Sequence, residues 1–319
     1  MTTEPFIRTH DCLERGEVSR MYSELEAGRL VSLRAGWHLE LRVIEALSPE
    51  ERECLAAHAA FGASRGEGFV FSHETAAALH GIPLLGRREN APVHITVLGR
   101  RPARSTADVT RHRSMLPDSD ITEIAGLPVT TLARTIVDIG CAGSLELATI
   151  AADAAANAQF WDPLQHVVDV DHAEDWRALL RRMIAARPST RGVLQARWIA
   201  DTFDARSDSP GESLSRLRML QAGWDPPAQQ IRIRTSGGTF YADFELLEFD
   251  AWGEFDGKVK YRDPAMRREG QDAADVVIAE KRREDLIRAT TGRRVIRWGW
   301  EQVRSLASFQ RHFGAIPRE

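Results

Sequence analysis

Asp243, Glu254 and Asp256 fall within one stretch, "YADFELLEFDAWGEFDGKVKY", that also holds Lys258 and Lys260. These are two of only three lysines in a chain whose other basic side chains, histidine aside, are all Arg. Carboxylates grouped with a primary amine have a definite chemical use. They offer hard oxygen ligands to Mg²⁺, with Mn²⁺ as a second ion that accepts the same donors. A cation so placed lowers the pKa of bound water and neutralises charge developing on a phosphate. Lysine suits the orienting or deprotonating of attacking water, because its pKa shifts on burial whereas Arg stays charged. Lys where the chain otherwise uses Arg hints at a demand that a guanidinium does not meet.

Such chemistry needs elements that bring the groups together. Side chains alternate along a strand, so Tyr241, Asp243 and Glu245 share one face. In the next strand, "FDAWGEFDGKVKY", Glu254, Asp256, Lys258 and Lys260 share another, as far as the strand lasts before Gly257 bends it. If these strands are neighbours, Asp243 meets Glu254 or Asp256 with a lysine beside them. Upstream, "DSPGESLSRLRMLQAGW" predicts a helix capped by Ser209, with Pro210 at its first position, Glu212 in its first turn, and Leu214, Leu217 and Leu220 along one face. "QQIRIRTSGGTFYADFEL" reads as two strands joined at Gly237-Gly238. "DAADVVIAEKRREDLIRATTG" reads as an amphipathic helix stopping at Gly292, and "RRVIRWGW" as a last strand. The order predicts an α/β module on a mixed central sheet over residues 196–319. Simpler roles compete for each residue. Asp243 can satisfy backbone donors at a strand end, and Glu254 and Asp256 can pair with Lys258 and Lys260 across strands. Glu212 is favoured near a helix start by the dipole alone. Trp298 and Trp300 read as packing residues.

"GES", "YADF", "GEFDGKVKY" and "EKRREDLIRATTGRRVIRWGW" together resemble the PD-(D/E)XK nuclease superfamily, in the branch akin to very-short-patch repair endonucleases. The resemblance covers the C-terminal third. It implies a catalytic set of Glu212 as the helix acid, Asp243 as the strand acid, and Glu254 or Asp256 as the further metal ligand, with Mg²⁺ used to hydrolyse phosphodiesters. The lysine register stays open. Asp256-Gly257-Lys258 fits the motif, whereas Glu254-Phe255-Asp256 puts Asp where Lys is expected and leaves Lys260 as the substitute.

The remaining two thirds read differently. A length of 319 residues predicts two or three domains. A net charge of −4 gives no support to a wholesale polyanion binder, so contact with DNA requires a local patch. Cys12, Cys54 and Cys141 lack metal-ligand spacing and suggest reduced thiols. With no signal-peptide pattern and no apolar run of about 20 residues, a cytoplasmic protein without a membrane partner is expected. Residues 1–65 predict a short helix, a break at Gly16, a second helix over Glu17–Ala27 and a hairpin around Arg34, the outline of a winged helix-turn-helix. Ser19, Arg20, Ser23 and Arg34 would then face DNA; the competing role is a packing module or one that makes a homodimer.

Residues 66–195 predict a mixed α/β middle domain. "FSHETAAALHGIPL" opens a helix with Ser72 as its cap, "VHITVL" and "DVTRHRSML" are strands, and "GLPVTTLARTIVDIG" is a turn followed by a capped helix. Arg87, Arg88, Arg100, Arg101, Arg104, Arg111 and Arg113 are opposed only by Glu89 and Asp108. They form either a phosphate-facing surface or a solvated strand edge. Lys281 is a further phosphate contact or part of a solvated helix face. "DVDHAEDW" reads as a linker or solvated stretch. His10, His38, His73 and His80 show no ligand spacing and are read as structural.

"RLVSLRAGWHL", "FSHETAAALHGIPL" and "GLPVTTLARTIVDI" resemble the AbiEi-type antitoxin regulators of abortive-infection systems, over most of residues 1–155. That resemblance implies DNA binding, repression of the protein's own operon and a nucleotidyltransferase toxin as partner, although no residue here points to a toxin. Two functions follow. One is an Mg²⁺-dependent DNA endonuclease, in phage defence or DNA repair, whose N-terminal modules select the target. The other is a transcriptional repressor whose nuclease-like domain is a scaffold.

Overall fold

The computed structural model describes residues 6–64, 68–86, 91–98, 104–188, 190–257 and 273–317, leaving aside the side chains of 273–280. Two glycines in the left-handed region, Gly16 (φ +69°) and Gly28 (φ +68°), stop the first two helices where the sequence predicts breaks. These helices are α1 (Thr9–Glu14) and α2 (Val18–Glu26), preceded by β1 (Ile7–Arg8). The hairpin β2 (Leu30–Arg34) and β3 (Trp37–Glu40) follows, and β1 adds to it in the order β1-β3-β2. Cys12, Met21 and Leu30 are buried together beneath this small sheet.

Next come α3 (Leu41–Ala46) and α4 (Pro49–Ala63), the latter with Pro49 at its first position and a reciprocal cap between Ser48 and Glu51. Beyond them lie β4 (Phe69–Phe71), α5 (His73–Leu79), β5 (Val93–Val97), β6 (Val109–His112), β7 (Ile121–Ile124) and β8 (Leu127–Thr130). The strands form a five-stranded sheet in the order β6-β5-β4-β8-β7. β5–β6 and β4–β8 are parallel pairs and the others antiparallel. Phe71, Val93, Ile95 and Val129 fill its core.

Three local readings change. Ser72 does not cap α5; its buried hydroxyl instead meets His73 Nδ1 at 2.9 Å and accepts from Thr96 Oγ1 at 2.9 Å. "GLPVT" is not only a turn, since Leu127–Thr130 is a strand and Thr131 caps the following α6 (Leu132–Ala142). After α7 (Leu145–Phe160) and the short pair β9 (Trp161–Asp162) and β10 (Val167–Val168), the acidic stretch 169–176 begins α8 (Val170–Ala185) rather than a linker. There Asp169 accepts from the His172 backbone N–H at 3.2 Å, as an N-terminal cap does.

α9 (Val193–Thr202) and α10 (Pro210–Gln221) lead to β11 (Gln229–Thr235), β12 (Gly238–Leu246) and β13 (Ala251–Phe255). α11 (Ala273–Thr291), β14 (Arg294–Trp298), α12 (Trp300–Val303) and α13 (Leu306–Gly314) complete the chain order. The four strands make a sheet β11-β12-β13-β14, antiparallel except for the parallel β13–β14 pair. The expected mixed sheet is present, so the protein is of the α/β class. β13 ends at Phe255, earlier than expected, and Asp256 lies just past it. Beyond the expected last strand, Phe309 and Phe313 of α13 pack with Trp224 and Phe249. α10 is buried nearly all round rather than along one leucine face.

The chain divides into two compact units, residues 1–151 with 175–201, and residues 152–174 with 202–319. Each has a buried ion pair. In the first, the fully buried Arg134 binds Asp138 at 2.9 Å and Asp120 at 2.8 Å. In the second, Arg216 grips Asp153 through one nitrogen at 2.7 and 2.8 Å. Neither pair is accompanied by an obvious sequence motif.

Candidate active site

Ser209 starts α10 by accepting the Glu212 backbone N–H at 3.3 Å. Glu212 is thereby fixed at the third helical position, with its side chain folded back over the helix start. One carboxyl oxygen accepts from Ser209 Oγ at 2.8 Å, and the other from the Asp208 N–H at 3.0 Å and Gln230 Nε2 at 3.1 Å. Only 7% of Glu212 is exposed. These are cap interactions, and alone they would favour the ionised form. Burial outweighs them, and with the nearby negative charge of Asp243 it pushes the Glu212 pKa up to about 7.

Asp243, on β12, stands opposite an irregular residue of β11. The β11–β12 ladder joins Gln229 to Phe244 and Ile231 to Ala242, and passes over Gln230 and Asp243 between them. Gln230 sits in the left-handed region at φ +54°, which an L side chain seldom adopts. The turn it makes accompanies the delivery of its amide to Glu212. Asp243 Oδ2 accepts the Phe255 backbone N–H at 2.7 Å, so a side chain takes a donor that a regular ladder gives to a carbonyl.

Adjacent residues of β13 then face opposite ways. Phe255 lies against α10, so closely that a Cβ on Gly211 would stand 1.9 Å from its ring. Glu254 belongs to the α11 side, where Trp252 Nε1 donates to Thr291 Oγ1 at 3.0 Å. Its carboxylate is 12% exposed and bound by Arg283 at 2.9 Å and Arg297 at 3.1 Å. The structure therefore groups Asp243 with Glu212, and Glu254 with two guanidiniums. Asp256 donates its backbone N–H to Trp298 O at 2.7 Å and keeps a partly exposed side chain. Lys258 and Lys260 lie outside the described residues. Trp298 is buried and donates Nε1 to Ser215 Oγ at 2.7 Å, while Trp300 meets Phe255 edge-on at 5.2 Å. Both are packing residues here.

Gly211→Ala tests this packing. The methyl has no space without displacing Phe255, whose N–H holds Asp243, so a loss of about 1–3 kcal/mol in urea unfolding is expected. Gly314→Ala is the control, because nothing lies within 4 Å of its added Cβ.

The sequence reading did not single out Gln230, Arg283 or Arg297 as site neighbours. Gln230 carries no motif, since an isolated left-handed non-glycine residue is invisible in composition. The two arginines were legible only as part of a basic helix and strand.

The residues proposed to contact nucleic acid are more scattered. Ser19, Arg20 and Ser23 are exposed on α2, and Lys281 is exposed on α11. Arg34 is half-buried and paired with Asp108 at 3.2 Å. Arg111 donates to the Arg104 carbonyl at 2.8 Å, and Arg104 and Arg113 are exposed. Arg100 and Arg101, with Arg87 and Arg88, lie outside the described residues. No described helix is long and apolar enough to cross a membrane.

Comparison with models of known protein families gives no match, and comparison with curated proteins gives none. What the fold and site define is an α/β protein whose C-terminal unit buries the Glu212 carboxyl near the half-buried Asp243, beside a mixed sheet.

Proposed function

We propose that the C-terminal unit is an Mg²⁺-dependent DNA endonuclease and that the N-terminal unit contributes DNA contacts. The observation that carries this reading is the pairing of Glu212 with Asp243. Burying the Glu212 carboxyl near the charge of Asp243 costs stability, and the Glu212 pKa raised to about 7 reflects that cost. Carboxylate oxygens are the donors a hard divalent ion takes, and Glu212 and Asp243 supply them, although no third described acid stands within ligand reach of both.

Glu212 and Asp243 would hold Mg²⁺, with Lys258 or Lys260 as the amine. Bound Mg²⁺ would supply an acidified water and charge neutralisation at the scissile phosphate. The chain's own work is positional. Ser209, Asp208 and Gln230 aim the Glu212 carboxyl, and the Phe255 N–H fixes the rotamer of Asp243. Glu254 serves best as an anchor that ties α11 and β14 to β13 through Arg283 and Arg297.

That same ion network favours the second reading, a DNA-binding regulator with a scaffold domain, because it neutralises one acid of the motif. Plasmid and oligonucleotide cleavage with Mg²⁺, Mn²⁺ or EDTA separates the two. The nuclease reading expects metal-dependent products that disappear in Asp243→Asn; the regulator reading expects salt-sensitive binding to its own upstream DNA and no products. Glu254→Gln is expected to cost about 1–3 kcal/mol of stability, by leaving Arg283 and Arg297 undercompensated, while retaining cleavage at permissive temperature.

A further inference from the structure

The N-terminal unit contains a histidine cluster of which the sequence pointed only to His73, as a structural residue. His73 opens α5, His94 lies on β5 and His112 ends β6. β5 and β6 are parallel neighbours with His94 opposite Thr110 and Thr96 opposite His112. The two histidines are therefore two residues out of step on the same face of the sheet. Their nitrogens, His94 Nδ1 and His112 Nε2, are 3.1 Å apart. The His73 ring stacks on that of His112 at 3.6 Å between centroids and 16° between planes. One nitrogen from each of the three rings lies within 4.8 Å of the other two.

We propose that His73, His94 and His112 form a binding site for a divalent transition-metal ion of the Zn²⁺ type. Zn–N bonds of about 2.0–2.1 Å at tetrahedral angles put ligand nitrogens roughly 3.3 Å apart, so the His94–His112 pair already has the required separation. His73 needs only a ring adjustment to close the set. Its backbone is held at φ +54°, a conformation non-glycine residues adopt at a cost and which tends to persist at functional positions. Ser72 Oγ, 2.9 Å from His73 Nδ1, is placed to accept an N–H there and leave Nε2 for the ion, as supporting partners of metal-bound histidines do. Thr96 Oγ1 in turn donates to Ser72 at 2.9 Å.

Three imidazoles leave a fourth position for water or a ligand, the arrangement of an open rather than a closed zinc site. His73 and His112 both line a cavity of about 670 Å³, which Arg187, Arg191 and Gln195 also line. An ion at the cluster is thus reachable, and Arg191 suits an anionic ligand on its open side, Arg187 being paired with Asp138 at 3.0 Å. Soft nitrogen donors set this site apart from the oxygen donors of Glu212 and Asp243.

The test uses full-length protein without an affinity tag, stripped of metal and titrated with Co²⁺ as a coloured substitute for Zn²⁺. One equivalent with the intense visible bands of a tetrahedral ion is expected. His94→Gln and His112→Gln should each weaken binding by more than the roughly 10–100-fold that loss of a supporting hydrogen bond costs. Asp243→Asn should leave it unchanged. X-ray absorption on the Zn²⁺-loaded natural sequence, which needs no variant to fold, should count three imidazoles. The proposal is overturned if the natural sequence retains no Co²⁺, if both His variants retain as much as it does, or if fewer than three imidazoles surround the zinc.

Discussion

Asp243→Asn is expected to lower Mg²⁺-dependent DNA cleavage by on the order of 10²–10³-fold in kcat, the scale seen when one preorganised electrostatic group is removed from a reacting centre. The substitution is chosen for what it preserves. Asp243 Oδ2 accepts the Phe255 N–H at 2.7 Å, and the Asn carbonyl oxygen can take the same hydrogen bond. Only the charge is lost, so unfolding in urea should move little while activity collapses. A second readout separates loss of charge from loss of shape. Because the Asp243 charge is one cause of the raised Glu212 pKa, its removal should bring that pKa down from about 7 towards the ordinary carboxyl range. Carbon-detected titration of a ¹³C-labelled Glu212 carboxyl would follow it. Cleavage by Asp243→Asn at the natural rate would remove the Glu212–Asp243 pair from the mechanism and leave the regulator reading.

Patterns that depend on local spacing were legible in the sequence. Glycine stops at Gly16, Gly28 and Gly292 and the Ser209-Pro210 cap all follow from rules acting over a few residues, and all are present. The mixed sheet followed from the order of elements. What escaped depends on which side chain occupies a strand's irregular point. Alternation along regular strands put Asp243 and Glu254 within reach of each other, but the ladder breaks at Gln230 and Asp243. The same alternation, applied to β13, assigns Glu254 to the α11 side and to Arg283. The histidine cluster was hidden for a related reason. Its members come from a helix start and two parallel strands whose pairing no local motif announces.

Glu212→Gln should raise stability and remove cleavage together. In the folded protein burial and the Asp243 charge push the Glu212 pKa up to about 7 from the ordinary 4.5, so folding takes up a proton between those pH values. Below about pH 4.5 both states are protonated and the site carries no penalty. As pH rises from there through 7 the folded state is progressively disfavoured relative to the unfolded one. Above pH 7 the full cost applies, on the order of 3 kcal/mol. A glutamine cannot ionise and escapes this cost, and its carbonyl can accept from Asp208 and Gln230 while its amide donates to Ser209 Oγ. Urea unfolding should therefore show the variant close to the natural sequence at pH 4.5 and more stable by roughly 3 kcal/mol at pH 8. Saturating Mg²⁺ should narrow the gap, because the ionised carboxylate then gains a counter-charge. Equal stability of the two proteins at both pH values would mean that Glu212 is not held near neutrality, and the argument for a cation beside Asp243 would lose its physical basis. A stabilised, inactive variant would instead show a carboxyl kept at a cost to the fold for the sake of chemistry.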